Sequence, residues 1–245
     1  MHLTQDFQEL FSMASLISLL TLSVLEIVLG IDNIIFISIV SGKLTERKDQ
    51  RKARAMGLTL ALVMRIILLF SITWIIGLKD PLFFIMDFGA TGRDLILFGG
   101  GIFLLIKTTL EIHEKIEGHQ EGSVEVKKVV FSSIVMQIVF IDIVFSFDSI
   151  LTAVGLVSNL LIMILAVIVA MLIMLAFSEK VSDFINKHPT IKMLALSFLL
   201  MIGLVLVLDA LHFHVPKQYV YVSIAFSMLV EGLNMRMRSK HAKRH

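Results

Sequence analysis

Long apolar runs recur along this chain, at about residues 13–42, 54–78, 93–112, 129–153, 158–178, 191–210 and 218–236. Each is close to, or above, the ~20 residues an α-helix needs to cross a hydrocarbon core of ~30 Å. In lipid the backbone polar groups must be satisfied internally, so runs of this kind are expected as helices. The chain is 57% hydrophobic and 17% charged, against about a quarter charged for soluble domains. The sequence therefore predicts an all-α, polytopic membrane protein with seven transmembrane helices, forming one transmembrane domain over 1–245.

Lys and Arg set the expected direction. Of 22 such residues, eighteen fall after the first, third and fifth runs and in the tail. The loop after the first run holds Lys43, Arg47, Lys48, Arg51, Lys52 and Arg54. Only Lys79, Arg93 and Lys217 fall on the other side, and Arg65 lies inside a run. Positive loops stay cytoplasmic, which puts the N-terminus outside and the C-terminus in the cytoplasm. Trp74, Tyr219 and Tyr221 then fall near the outer interface, where such rings prefer to sit. The basic loop 43–54 is thus a topology signal, and no nucleic-acid partner is expected. The start of the chain, MHLTQDFQELFS, has no basic region before its first apolar run, so that run is expected to be an uncleaved span.

Two polar stretches interrupt the apolar runs, and they match. EIVLGIDNI, residues 26–34, aligns without gaps on DIVFSFDSI, residues 142–150. Glu26 meets Asp142, Gly30 meets Ser146, Asp32 meets Asp148 and Asn33 meets Ser149. An internal duplication is the reading. The copies lie in the first and fourth runs, so they would cross the membrane in opposite directions. Residues 13–112 would form one three-helix repeat and 129–210 a second, inverted one. The helix 218–236 is then appended, followed by a basic cytoplasmic tail, 237–245. Inverted repeats of this kind are a transporter architecture, with the binding site near the midplane.

A carboxylate at that depth costs roughly 2.5–3.5 kcal/mol on insertion scales. Four of them cannot all stay ionised and empty. Arg65 can neutralise one. A divalent cation can neutralise two more, and carboxylate, amide and hydroxyl oxygens are hard ligands suited to Mg2+, Ca2+ or Mn2+. The expected metal set is Glu26, Asp32, Asn33, Asp142, Asp148 and Ser149. In a regular helix Glu26, Gly30 and Asn33 share one face and Asp32 lies well away from it. Convergence of all four acids is the preferred reading and calls for local unwinding at Gly30 and near Ser146; otherwise Asp32 and Asp148 face a different partner or the access path. Once the metal leaves, burial and like-charge repulsion favour protonation, which gives a physical route to cation/proton exchange.

Other residues carry weaker signals. Arg65, Gln137, Gly30, Ser146 and Glu231 are candidates for gating or the pathway, Arg65 as counter-ion or gate. Asp209 is an exit-side ligand or a surface charge. His113 and His119, in the acidic stretch 111–121, could attract metal but read better as a solvated segment. His212 and His214 read as ordinary loop residues. Met163, Met171 and Met174 read as adaptable packing. The glycines of FGGG, 98–101, suit close helix contact.

The stretches LEIVLGIDNIIFIS, RDLILFGGGIFLL, KTTLEIHEKIEG, DIVFSFDSILTAVG, HPTIKMLALSFLLMIG and HVPKQYVYVSIAFSMLVEGLN resemble signatures of the TerC family of integral membrane proteins. The resemblance covers nearly the whole chain. It implies a multi-pass protein with seven spans in a bacterial inner membrane. The family takes its name from tellurium resistance and includes manganese exporters, and some members carry additional CBS domains, for which this chain has no counterpart. The resemblance adds Mn2+ and the efflux direction, where the charges alone reach a hard divalent cation.

The expected function is a secondary transporter that exports a divalent metal cation, with Mn2+ as substrate and no cofactor. Its partners would be the metal ion and the bilayer, and a homo-oligomer is compatible. Two alternatives stand beside it. One is a membrane subunit that hands metal to secreted enzymes or to a tellurium-resistance complex. The other is an amino-acid or organic-cation exporter. An enzyme is not expected, since an intramembrane aspartyl protease would carry GxGD. A retinal protein is not expected either, since 218–235 offers no Lys for a Schiff base.

Overall fold

A computed structural model describes residues 12–71, 81–85, 88–117, 130–157 and 159–242. The order is α1 (Met13–Leu29), α2 (Ile31–Ser41), α3 (Arg47–Phe70), β1 (Pro81–Ile85), β2 (Phe88–Thr91), α4 (Gly92–Glu117), α5 (Phe131–Leu156), α6 (Leu160–Lys187), α7 (Pro189–Ala210) and α8 (Lys217–Ala242). Six helical segments among the described residues are long and apolar enough to cross a membrane: 13–41, 47–70, 92–117, 131–156, 160–187 and 189–210. Their apolar side chains also face outward along much of their length. Leu16, Ile17, Leu20, Met56, Leu172 and Phe177 are among many that stay exposed, as lipid-facing residues should. The seventh expected span coincides with α8, which is helical but diluted by Gln218, Ser223, Ser227, Glu231 and Asn234.

Local chemistry explains the helix ends. Ser12 is extended (φ −70°, ψ 149°), and its side chain accepts from the Ser15 backbone N–H at 3.1 Å, capping α1; such caps satisfy otherwise orphaned donors. Pro189 opens α7, where its missing N–H costs nothing. At the end of α7 His212 adopts a left-handed φ of 64°. Its N–H donates to the Asp209 carbonyl at 3.1 Å, and the Phe213 N–H to the Leu208 carbonyl at 2.9 Å. That is a Schellman closure, usually made with Gly. Here the histidine is also held by its ring, which meets Asp94 at 2.9 Å.

Two features depart from expectation. The all-α expectation fails at β1 and β2, which pair antiparallel with an irregularity between Pro81 and Phe83. Leu82, Phe83 and Phe84 remain exposed on β1. Second, the helix does not unwind near Ser146. Helix α5 runs unbroken from 131 to 156. At Gly30 the interruption is a single residue (φ −87°, ψ −4°) whose N–H still donates to the Glu26 carbonyl at 2.8 Å. Around Ser146 the helix stays regular, and the Ser146 hydroxyl donates to the Asp142 carbonyl of the same helix.

The chain divides into two compact units. One comprises Met1–Arg93 and Lys127–Asp183, the other Asp94–Val126 and Phe184–His245. In the first, α3 packs against α5, and α2 against both. Gly57 permits the first contact, since a Cβ there would come within 2.6 Å of Ile138 Cγ2. In the second, α7 packs against α8. Gly101 of α4 and Gly203 of α7 also lie close, with a Cβ on Gly101 only 2.9 Å from the Gly203 carbonyl oxygen. Both polar stretches, 26–34 and 142–150, belong to the first unit.

Candidate functional site

The first unit buries an unusual amount of charge. Glu26, Asp32, Arg54, Arg65 and Asp142 are each 5% exposed or less. Arg65 is the centre of a cluster. Its Nη1 donates to Glu26 Oε2 at 2.6 Å, its Nη2 to Asp142 Oδ1 at 2.7 Å and its Nε to Asp142 Oδ2 at 2.9 Å. The Asp142 contact is a two-pronged fork, the arrangement in which guanidinium and carboxylate match best. Three helices contribute, α1 with Glu26, α3 with Arg65 and α5 with Asp142. Glu26 sits about halfway along the segment 13–41 and Asp142 near the middle of α5.

Two neighbours complete the Asp142 shell. Asn33 Nδ2 donates to Asp142 Oδ1 at 3.1 Å, and Ser146 Oγ lies 3.1 Å from Asp142 Oδ2. Asn33 is 2% exposed, and its Oδ1 finds no hydrogen-bond donor among the described residues. A buried amide oxygen left in that state costs about 1–3 kcal/mol. It is also a hard oxygen of the kind a divalent cation takes. With both acids ionised, Glu26 and Asp142 carry two negative charges against one on Arg65.

The sequence-predicted residues divide into a group joined by hydrogen bonds and several placed elsewhere on their helices. Glu26, Asn33 and Asp142 are joined directly through Arg65 and their mutual bonds. Ser146 adds its hydroxyl, and Ser149 is buried one turn on, donating to the Ser146 carbonyl at 3.2 Å. Asp32 is buried in the first turn of α2. The backbone of Asp148 lies in α5, while its side chain falls outside the described residues. Gly30 lies under the buried Met174 thioether, which a Cβ would strike. Gln137 spends its amide on Ser133 of its own helix, at 3.1 Å. Glu231 belongs to the second unit, where Asn234 donates to it at 3.5 Å. Of the acidic stretch 111–121, His119 lies outside the described residues, and His113 is exposed and pairs with Glu117. Among the described residues no three histidine or acidic side chains come together in a way that would hold a metal ion; the two acids at the centre are held by a guanidinium instead.

Sequence reasoning missed one buried cation. Arg54, counted there as a loop charge, is 4% exposed, and its Nη1 donates to Ser41 Oγ and Ser182 Oγ, both at 3.2 Å. The available signal was its spacing of eleven residues from Arg65. That is close to three full turns, so both arginines share a helix face. In the second unit, Asp94 and Asp209 are buried, and each meets a histidine, His212 at 2.9 Å and His214 at 3.5 Å.

The sequence model of the "Integral membrane protein TerC family" matches residues 11–245. A protein of Haemophilus influenzae named "UPF0053 protein" is 48% identical over 223 residues, covering 91% of this chain and 94% of its own length. The "UPF0053 inner membrane protein YgdQ" of Escherichia coli is 47% identical, with 90% and 92% covered. The "UPF0053 inner membrane protein YoaE" of the same organism is 51% identical over 90% of this chain, which spans only 42% of YoaE. No solved structure matches.

Proposed function

We propose, from the premise that this chain belongs to the TerC family of integral membrane proteins, that it is a secondary transporter of a divalent metal cation. Mn2+ is the substrate and export the direction. The observation that carries this reading is the meeting of Glu26 and Asp142, equivalent positions of two sequence copies, on one buried guanidinium. In this account Arg65 stands in for the cargo. A divalent ion in its place would balance both carboxylates outright, with Asn33 Oδ1 as a further oxygen ligand. When the ion leaves, Arg65 returns and a proton can take up the remaining charge. The same reading makes segments 13–112 and 129–210 inverted repeats and α8 a seventh span. It sets the N-terminus outside and the C-terminus in the cytoplasm, and it needs no enzyme chemistry. The names of the bacterial relatives YgdQ and YoaE support an inner-membrane location.

A second reading has its own observation. The site already holds N–H donors on two carboxylates, so an ammonium group would also fit, and an amino-acid or organic-cation exporter would look the same. Thermal unfolding of the purified protein in detergent separates them. Mn2+ at micromolar levels is expected to raise the transition temperature, since a ligand at 100 times its Kd adds about 2.7 kcal/mol. That shift should vanish in Asp142→Asn. Stabilisation by alkylammonium ions and none by Mn2+ would favour the exporter of amines. A Mn2+ shift without any transport would favour a subunit that hands metal onward.

A further inference from the structure

Arg54 has no part in the site just described, yet it is almost as inaccessible to solvent as Arg65, although it lies nearer the end of its helix. Along α3 the two guanidinium-bearing residues are about 16 Å apart, and Arg54 lies two turns into α3 from its basic N-terminal end, which follows the short connection 42–46. Its nitrogen bridges two helix ends, Ser41 at the close of α2 and Ser182 near the close of α6. One turn deeper on α2, Ser38 is fully buried, and Asn33 of the central cluster follows along the same helix. On α2, Ser38 and Ser41 thus form a buried polar pair on one side of the helix beneath Arg54, with Asn33 about 140° round from Ser38 at the end of the helix that meets the acidic cluster.

We propose that Arg54 is the latch of a gate at the basic-loop end, closing the route between that side and the acidic cluster. The proposal deepens the transporter reading and rests on it for the cargo. Three observations carry it. First, the hydrogen bonds are long, 3.2 Å, and end on neutral hydroxyls, whereas Arg65 makes bonds of 2.6–2.9 Å to carboxylates. Long bonds to neutral acceptors are the weaker kind, which suits a contact that must break in every cycle. Second, a guanidinium placed across a route for divalent cations repels them as long as it stays there. Third, alternative partners are at hand. Glu179 and Asp183 of α6 lie close enough to act on Arg54 electrostatically, and Arg51, one turn away, already pairs with Glu179 at the surface. Swinging out, Arg54 would exchange two hydroxyls for carboxylates and leave Ser38, Ser41 and Ser182 lining the opening.

The chain contains no cysteine, so a single Ser38→Cys substitution gives a clean reporter. A membrane-impermeant quaternary-ammonium thiosulfonate is applied from the basic-loop side of oriented vesicles, with and without Arg54→Ala. At least a tenfold faster modification of the thiol at position 38 is expected when Arg54 is removed. A smaller acceleration is expected with Ser182→Ala, which takes away one acceptor and leaves the charge. An Ala166→Cys substitution, at a buried position of α6, reports general loosening and should stay unmodified. Equal rates with and without Arg54 would overturn the latch, as would equal acceleration at both reporter positions. Should Arg54→Ala fail to accumulate, Ser182→Ala decides alone: faster modification supports the latch and an unchanged rate overturns it. Mn2+ flux is read in parallel. Gated labelling without flux in any variant would sink the transporter reading and keep the gate; flux with ungated labelling would do the reverse.

Discussion

Replacing Arg65 by Gln is expected to cost about 3–5 kcal/mol of stability, the range for breaking a buried ion pair by removing one partner. Glu26 and Asp142 are each 2% exposed or less, so water cannot replace the lost guanidinium. Gln can donate to one carboxylate but leaves two buried acids side by side, and at least one has to take up a proton. The loss should be strongly non-additive. In a Glu26→Gln, Asp142→Asn background the same Arg65→Gln change should cost far less, because the charges it was balancing are gone. A double-mutant cycle on thermal or denaturant unfolding in detergent measures this coupling. A small loss from Arg65→Gln in the wild-type background would mean that the cluster is loosely held.

The second large effect concerns neighbouring glycines of opposite character. Gly101→Val is expected to cost about 1–3 kcal/mol or more, the range for overpacking a tight contact. Its Cβ would come 2.8 Å from Val207 Cγ2 and 2.9 Å from the backbone oxygen of Gly203, and a backbone atom cannot turn aside. Gly99→Ala, two residues earlier in the same FGGG stretch, meets nothing within 4 Å. It should stabilise α4 by about 0.5–1 kcal/mol, the difference between Gly and Ala within a helix. Circular-dichroism melts of the two variants check the contrast. Equal losses would mean that helix propensity rather than the α4–α7 approach governs this stretch.

What could be read from the chain alone follows from how each signal is encoded. Six of the seven expected spans were legible as long apolar helices because apolar length is one-dimensional information. That Glu26 and Asp142 meet was legible because the two similar stretches 26–34 and 142–150 mark matching places, and Arg65 because a lone cation in an apolar run needs an anion. Arg54 was hidden, since a basic residue at a helix start reads as a loop charge and only packing reveals its burial. The hairpin at 81–91 was hidden because a short apolar run between spans gives no period to read. His212 takes a backbone conformation that sequence rules reserve for Gly, and its ring contact with Asp94 is a tertiary fact. The expected unwinding near Ser146 is not seen, and Asp142 reaches Arg65, where Glu26 also ends, from an intact helix.

In the proposed cycle Glu26 and Asp142 hold a divalent cation in transit. The most direct measurement is Mn2+ flux into proteoliposomes containing wild type or Asp142→Asn, with a pH dye inside. The account predicts Mn2+ movement opposed by protons in the wild type and its loss in Asp142→Asn. Equal flux in both, or none in the wild type, would contradict it.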